Sequence, residues 1–177
     1  MKKAATLISI VLISIILSVL YGTAHHFIAF HIAPEFYTKL TFFNFGILDD
    51  YGRKFNGNWN LALLWVSFFS TCWIGFFIGL IVGIVAIKYH VGKEIFNKTF
   101  DAFCMVMVTT FLLGFTGYIL AEINPSEIIL NYSLPFEIEH KVQFNKVAKI
   151  HNYSYIGIVV GLIISMYSLT KTNNSNY

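Results

Sequence analysis

The chain has 177 residues, of which 56% are apolar and only 12% charged, against roughly 25% charged in an ordinary soluble domain. A soluble fold of this length could not hide so much apolar surface, which excludes a conventional globular domain. The net charge of +3 comes from dispersed Lys and Arg, so no basic patch of the kind that binds nucleic acid is present.

The first apolar run spans 4–24 and contains no charge. At 1.5 Å per residue, about 20 helical residues cross a hydrocarbon core of about 30 Å. Met1-Lys2-Lys3 and the small residues Gly22 and Ala24 resemble the ends of a signal peptide, but the apolar part exceeds the usual 7–15 residues, which favours a retained helix. Further spans are expected at 59–87, 102–121 and 150–169. The fold class is therefore an all-α integral membrane protein, one domain over 1–177, with four transmembrane helices and two long outer loops. Lys2, Lys3, Lys88, Lys93, Lys98 and Lys171 flank the spans on one side. By the positive-inside tendency this places both termini in the cytoplasm, and the composition suggests a bacterial inner membrane.

The first long loop contains Pro34-Glu35-Phe36-Tyr37-Thr38. Pro suits the first helical position and Glu the positively polarised first turn. With Phe36, Leu40 and Phe43 on one face, a short interfacial helix is expected, followed by turn chemistry at 49–52 and 56–58. In the second loop, alternation over 136–144 suits an extended segment, while Phe144, Val147, His151 and Tyr155 share a helical face; helix is favoured from about Phe144. Asn124-Pro125-Ser126 should stop the third span. Trp59 reads as an interface anchor, whereas Trp65 and Trp73 are expected between helices. Cys72 and Cys104 lie in apolar stretches and read as small buried hydrophobes.

Gly75, Gly79 and Gly83 form one small-residue ridge and Gly157 and Gly161 another. Such ridges let helices approach closely, either within the chain or between copies in a homo-oligomer.

The ionisable residues gather at one end of the expected bundle. His25 ends the first span, His31 and Glu35 follow, Glu122 ends the third span, and His151 opens the fourth. Tyr21 with His25 and His151 with Tyr155 are i,i+4 pairs, each presenting an imidazole and a phenol on one face. Neutral imidazole and carboxylate are ligands for transition metals, making His25, Glu35 and His151 the candidate metal ligands, with Tyr21, Tyr155, His31 and Glu122 in support. An isolated interfacial His or Tyr also serves as an amphipathic anchor. No HExxH, CxxC, GxSxG or P-loop motif is present. The sequence thus leaves two readings: a non-catalytic subunit or small-ligand-binding module, or a metal- or haem-dependent redox protein or enzyme using His25 and His151 with Glu35. Nothing charged lies near the middle of a span, which disfavours a transporter.

Tyr21-Gly22-Thr23-Ala24-His25, Pro34-Glu35-Phe36-Tyr37-Thr38, Trp73-Ile74-Gly75 with Gly79, and His151-Asn152 with Ser154-Tyr155 resemble an uncharacterised family of small four-span bacterial membrane proteins. Its members carry a Tyr-Gly-x-x-His segment ending the first helix and a Glu-aromatic-aromatic-Thr segment after it. His26 stands where the pattern has Asp. The resemblance implies a fold and a set of residues, and no activity.

Overall fold

The computed structural model describes residues 3–48, 56–124 and 138–171. Four long helices dominate it: α1 (Lys3–Ile32), α4 (Trp59–Tyr89), α5 (Glu94–Ile123) and α6 (Lys141–Thr170). Each is long and apolar enough to cross a bilayer, and the chain is a polytopic membrane protein. Between α1 and α4 run α2 (Pro34–Phe36), a π-helical turn (Tyr37–Thr41) and α3 (Phe42–Asn44), the short helical segment expected in the first loop. The turn chemistry expected at 49–52 and the helix stop at Pro125-Ser126 lie outside the described residues.

The helices outrun their apolar cores. α1 continues eight residues past Ala24, and α5 and α6 begin eight and nine residues before the expected spans. Hydropathy marks only the stretch that sits in hydrocarbon, while backbone hydrogen bonding continues through polar residues until a cap or a proline intervenes. Pro34 stops α1, because the residue before a proline is pushed to extended geometry; Ala33 has φ −144° and ψ 85°. Asn58 caps α4 by accepting from the backbone N–H groups of Asn60 and Leu61. The short α4–α5 connection turns at Gly92, whose φ of 59° lies in the left-handed region that favours glycine.

The bundle is assembled from two tight pairs, α1 with α4 and α5 with α6, which touch each other more sparsely. Both glycine ridges are used inside the chain. A Cβ at Gly75 would lie 2.8 Å from the Ile15 Cα and Ser14 carbonyl, and one at Gly79 2.9 Å from the Val11 Cα. A Cβ at Gly157 would lie 2.6 Å from the Thr110 Cα, and one at Gly161 2.8 Å from the Val106 Cα. These faces are filled by α1 and α5, so they offer no ridge for a second copy. The Ser14 hydroxyl donates to the Gly75 carbonyl at 2.7 Å, a polar tie between helices in an apolar setting.

Two other expectations change. Trp65 and Trp73 are 53% and 63% exposed and face outward, because the inner face of α4 is occupied by glycines and by Val66, Ser67, Ile78 and Val82. Cys72 is half-buried and Cys104 exposed, both as free thiols. In a bilayer the outer face of a helix is as apolar as its core, so an apolar neighbourhood in sequence does not report burial.

Candidate functional site

The site lies where α1, α2 and α6 converge. Gly22, His26 and Ala29 are buried along α1, spaced i, i+4, i+7 on one helical face. His26 follows these small residues inward and is 5% exposed. Its Nδ1 lies 2.8 Å from the Tyr37 hydroxyl and its Nε2 3.0 Å from the Ser70 Oγ. The Ser70 hydroxyl donates onward to the Ser67 carbonyl at 3.4 Å. With that proton committed, Ser70 accepts from His26, which assigns the Nε2–H tautomer and makes Tyr37 the donor to Nδ1. Burial, with the Tyr155 phenol nearby, pushes the Tyr37 pKa upward, so this phenol keeps its proton.

His25 sits one residue away, its ring stacked on Tyr21 at 6.2 Å and meeting His151 edge-on at 4.7 Å. His151 lies 5.5 Å from His26, and its Nδ1 donates to the Val147 carbonyl at 2.9 Å. Its Nε2 therefore carries the lone pair. Three imidazoles from two helices thus meet inside the bundle. Phe36 closes them from above, stacked on His151 at 5.1 Å and packed on Phe144 at 5.0 Å.

Glu35 takes a different part from the one its residue type suggests. Its carboxylate accepts from the backbone N–H groups of Glu139 and His140, both at 2.8 Å, and pairs with Lys39. Burial alone would raise its pKa; the Lys39 ammonium and the two N–H donors outweigh this and hold the carboxyl below its ordinary value. The contact points are eleven and twelve residues before His151, about 16–18 Å along a helical path. Glu35 therefore fastens the short helical segment over the entrance to α6, while His25 and His151 meet elsewhere. Among the described residues, no group of three His, Cys, Asp or Glu is arranged to hold a metal ion.

The supporting residues divide likewise. Tyr21 and Tyr155 line the space beside the imidazoles. His31 is exposed and bonded to the Phe27 carbonyl of its own helix at 2.7 Å. Glu122 pairs with Lys146 at 2.5 Å, tying the end of α5 to α6.

Two adjoining cavities complete the site. One, of about 80 Å³, lies below the imidazoles and is walled by residues of all four long helices, Ser18, Ser70, Thr71, Thr110 and Ser154 among them, with apolar atoms forming most of its surface. The other, of about 410 Å³, is an apolar groove between α1, α5 and α6. His26, Tyr37 and these hydroxyls carry no motif that singles them out in sequence. The one usable signal was the placement of His26 on the small-residue face of α1.

No family model, curated protein or solved structure matches this chain.

Proposed function

We propose that the protein is a membrane-embedded small-ligand-binding module whose ligand occupies the chamber beneath His25, His26 and His151. One observation carries this reading: the two helix pairs, each glycine-tight within itself, leave between them a mostly apolar cavity at membrane depth, with His25, His26 and His151 in its wall. Close packing is the default for a helix bundle, and polar groups within a membrane are functional candidates. Phe36 and Tyr37 act as a plug that shields the chamber from the outer aqueous phase. The Glu35 clamp holds that plug in place.

The alternative, a redox protein holding a transition metal or haem, draws on the same meeting of His25 and His151, with the His151 Nε2 lone pair available. Glu35 has no part in it. The full chain, purified in nanodiscs, separates the two readings by native mass spectrometry, metal analysis and absorption spectroscopy. The ligand reading expects an organic species at up to one per chain, reduced by His25→Phe and unaffected by His31→Phe. A stoichiometric metal or a Soret band lost on His151→Ala would transfer the assignment to the second reading. Neither an organic species nor a metal, in chain that remains folded, sinks both.

A further inference from the structure

The apolar groove lies in the looser seam of the bundle, where the α1–α4 and α5–α6 pairs touch sparsely. Ala24, Ile28 and Ile32 line it from α1, and Phe111, Phe115 and Tyr118 from α5. Its rim residues Ile28, Phe111 and Phe115 are 62%, 60% and 54% exposed and face the hydrocarbon. No Lys, Arg, Asp or Glu lines it. Apolar space of this kind stays dry, and the phase that borders it in a bilayer is alkyl chain.

Length and level narrow the occupant. From Tyr21 to Ile32 the groove follows α1 for eleven residues, about 16 Å at 1.5 Å per residue. One leaflet contributes half of a hydrocarbon core of about 30 Å, so the groove is as long as one leaflet is deep. The end beside Ile32 lies at the level of an interface: Phe30 packs on Trp59 at 5.6 Å, and tryptophan favours the headgroup boundary. At the other end, Gly22 lies against Thr71, twelve residues along α4 from Trp59 and about 18 Å deeper.

Charge marks the interfacial end. Lys146 and Lys149 precede Ile150, which lines the groove from α6. The Lys146 ammonium stands 5.8 Å from the centre of the Tyr118 ring and pairs with Glu122. Lys149 donates to the Asn124 carbonyl at 3.4 Å. Two ammonium groups against one carboxylate leave this mouth cationic among the described residues. Each ammonium carries three N–H donors, enough to add a phosphate oxygen to the partners it has.

We propose that the groove is a phospholipid site, holding one acyl chain along α1 with the phosphate at the Lys146–Lys149 end. The bound chain fills the seam and supplies dispersion contacts that α1 and α5 do not make with each other. This site does not rest on the chamber reading above, because Ala24, Ile28 and Phe115 line the groove and not the chamber.

The test uses the full chain in detergent, depleted of lipid and titrated with palmitoyl-oleoyl phosphatidylglycerol, read by native mass spectrometry and thermal unfolding. Saturable retention of one phospholipid per chain is expected, with a higher unfolding temperature as it binds. Ala24→Trp, which fills the groove from an exposed position, should weaken retention at least tenfold. Ile16→Trp, exposed on α1 but lining neither cavity, should leave it unchanged. Lys146→Gln combined with Lys149→Gln should weaken it about tenfold. A measurement on the unaltered chain stands beside these variants. In phosphatidylcholine nanodiscs, phosphatidylglycerol with a diazirine at the end of one acyl chain should label Tyr21, Ala24 or Phe111. Excess unlabelled phosphatidylglycerol should suppress that labelling and spare labelling of Ile8 and Ile163 on the exposed outer faces. Equal retention by wild type and Ala24→Trp overturns the proposal, as does groove labelling no easier to suppress than that of the outer faces. Retention unaffected by the two lysine changes overturns the placement of the phosphate.

Discussion

Tyr37 is fully buried in the short segment over the bundle, and its hydroxyl is the donor that satisfies His26 Nδ1. Tyr37→Phe keeps the ring and removes that donor, leaving a buried ring nitrogen unpaired. The expected loss is about 1–3 kcal/mol of stability, read as a lower unfolding temperature in detergent. Glu35 makes a second residue-scale prediction. Its pKa is depressed on folding, so the carboxylate's contribution is present above the unfolded value near 4.3 and is lost as pH falls through the lower folded value. Glu35→Gln should therefore be less stable than wild type at neutral pH, with the difference shrinking as the wild-type carboxyl protonates. Thermal unfolding from pH 7 down to pH 3 would show this, and a constant difference across that range would contradict it. At this scale the sequence was half legible. The i,i+4 pairs Tyr21–His25 and His151–Tyr155 located two of the three imidazoles, because helical spacing fixes which side chains share a face. Glu35 was read by residue type as a ligand, yet besides its i,i+4 neighbour Lys39 its partners are backbone N–H groups over 100 residues away. No local pattern encodes such a contact.

Among the elements, the glycine faces fix how closely the helices approach. Gly157 and Gly114 both lie on the α5–α6 seam, but a new Cβ would meet different things. At Gly157 it strikes the Thr110 Cα, and at Gly114 the Ser154 hydroxyl, which can rotate. Gly157→Ala should cost about 1–3 kcal/mol through forced helix separation, and Gly114→Ala less. Equal unfolding temperatures for the two variants would count against the seam as described. The four spans were legible from hydropathy because crossing the bilayer needs a minimum apolar length. Their ends were not, since helix continues into water wherever no cap or proline stops it. The orientation of Trp65 and Trp73 was hidden for a related reason: lipid and protein interior are equally apolar.

Across the whole molecule, two glycine-tight pairs frame a chamber that neither pair contains alone. A chain divided at Gly92 should yield halves of one pair each that co-purify when expressed together, and failure to associate would argue against this division. The central claim is that the pairs bring His25 and His151 together beneath the Phe36–Tyr37 plug, their rings 4.7 Å apart. Its most direct test is cross-linking in native membranes. In a chain with Cys72 and Cys104 replaced by Ala, His25→Cys and His151→Cys are joined with a short bifunctional thiol reagent. Efficient intramolecular linkage is expected for this pair, and none for Ile8→Cys with Ile163→Cys, both on exposed outer faces. Absence of linkage between positions 25 and 151, with both thiols shown to be reactive, would contradict the account.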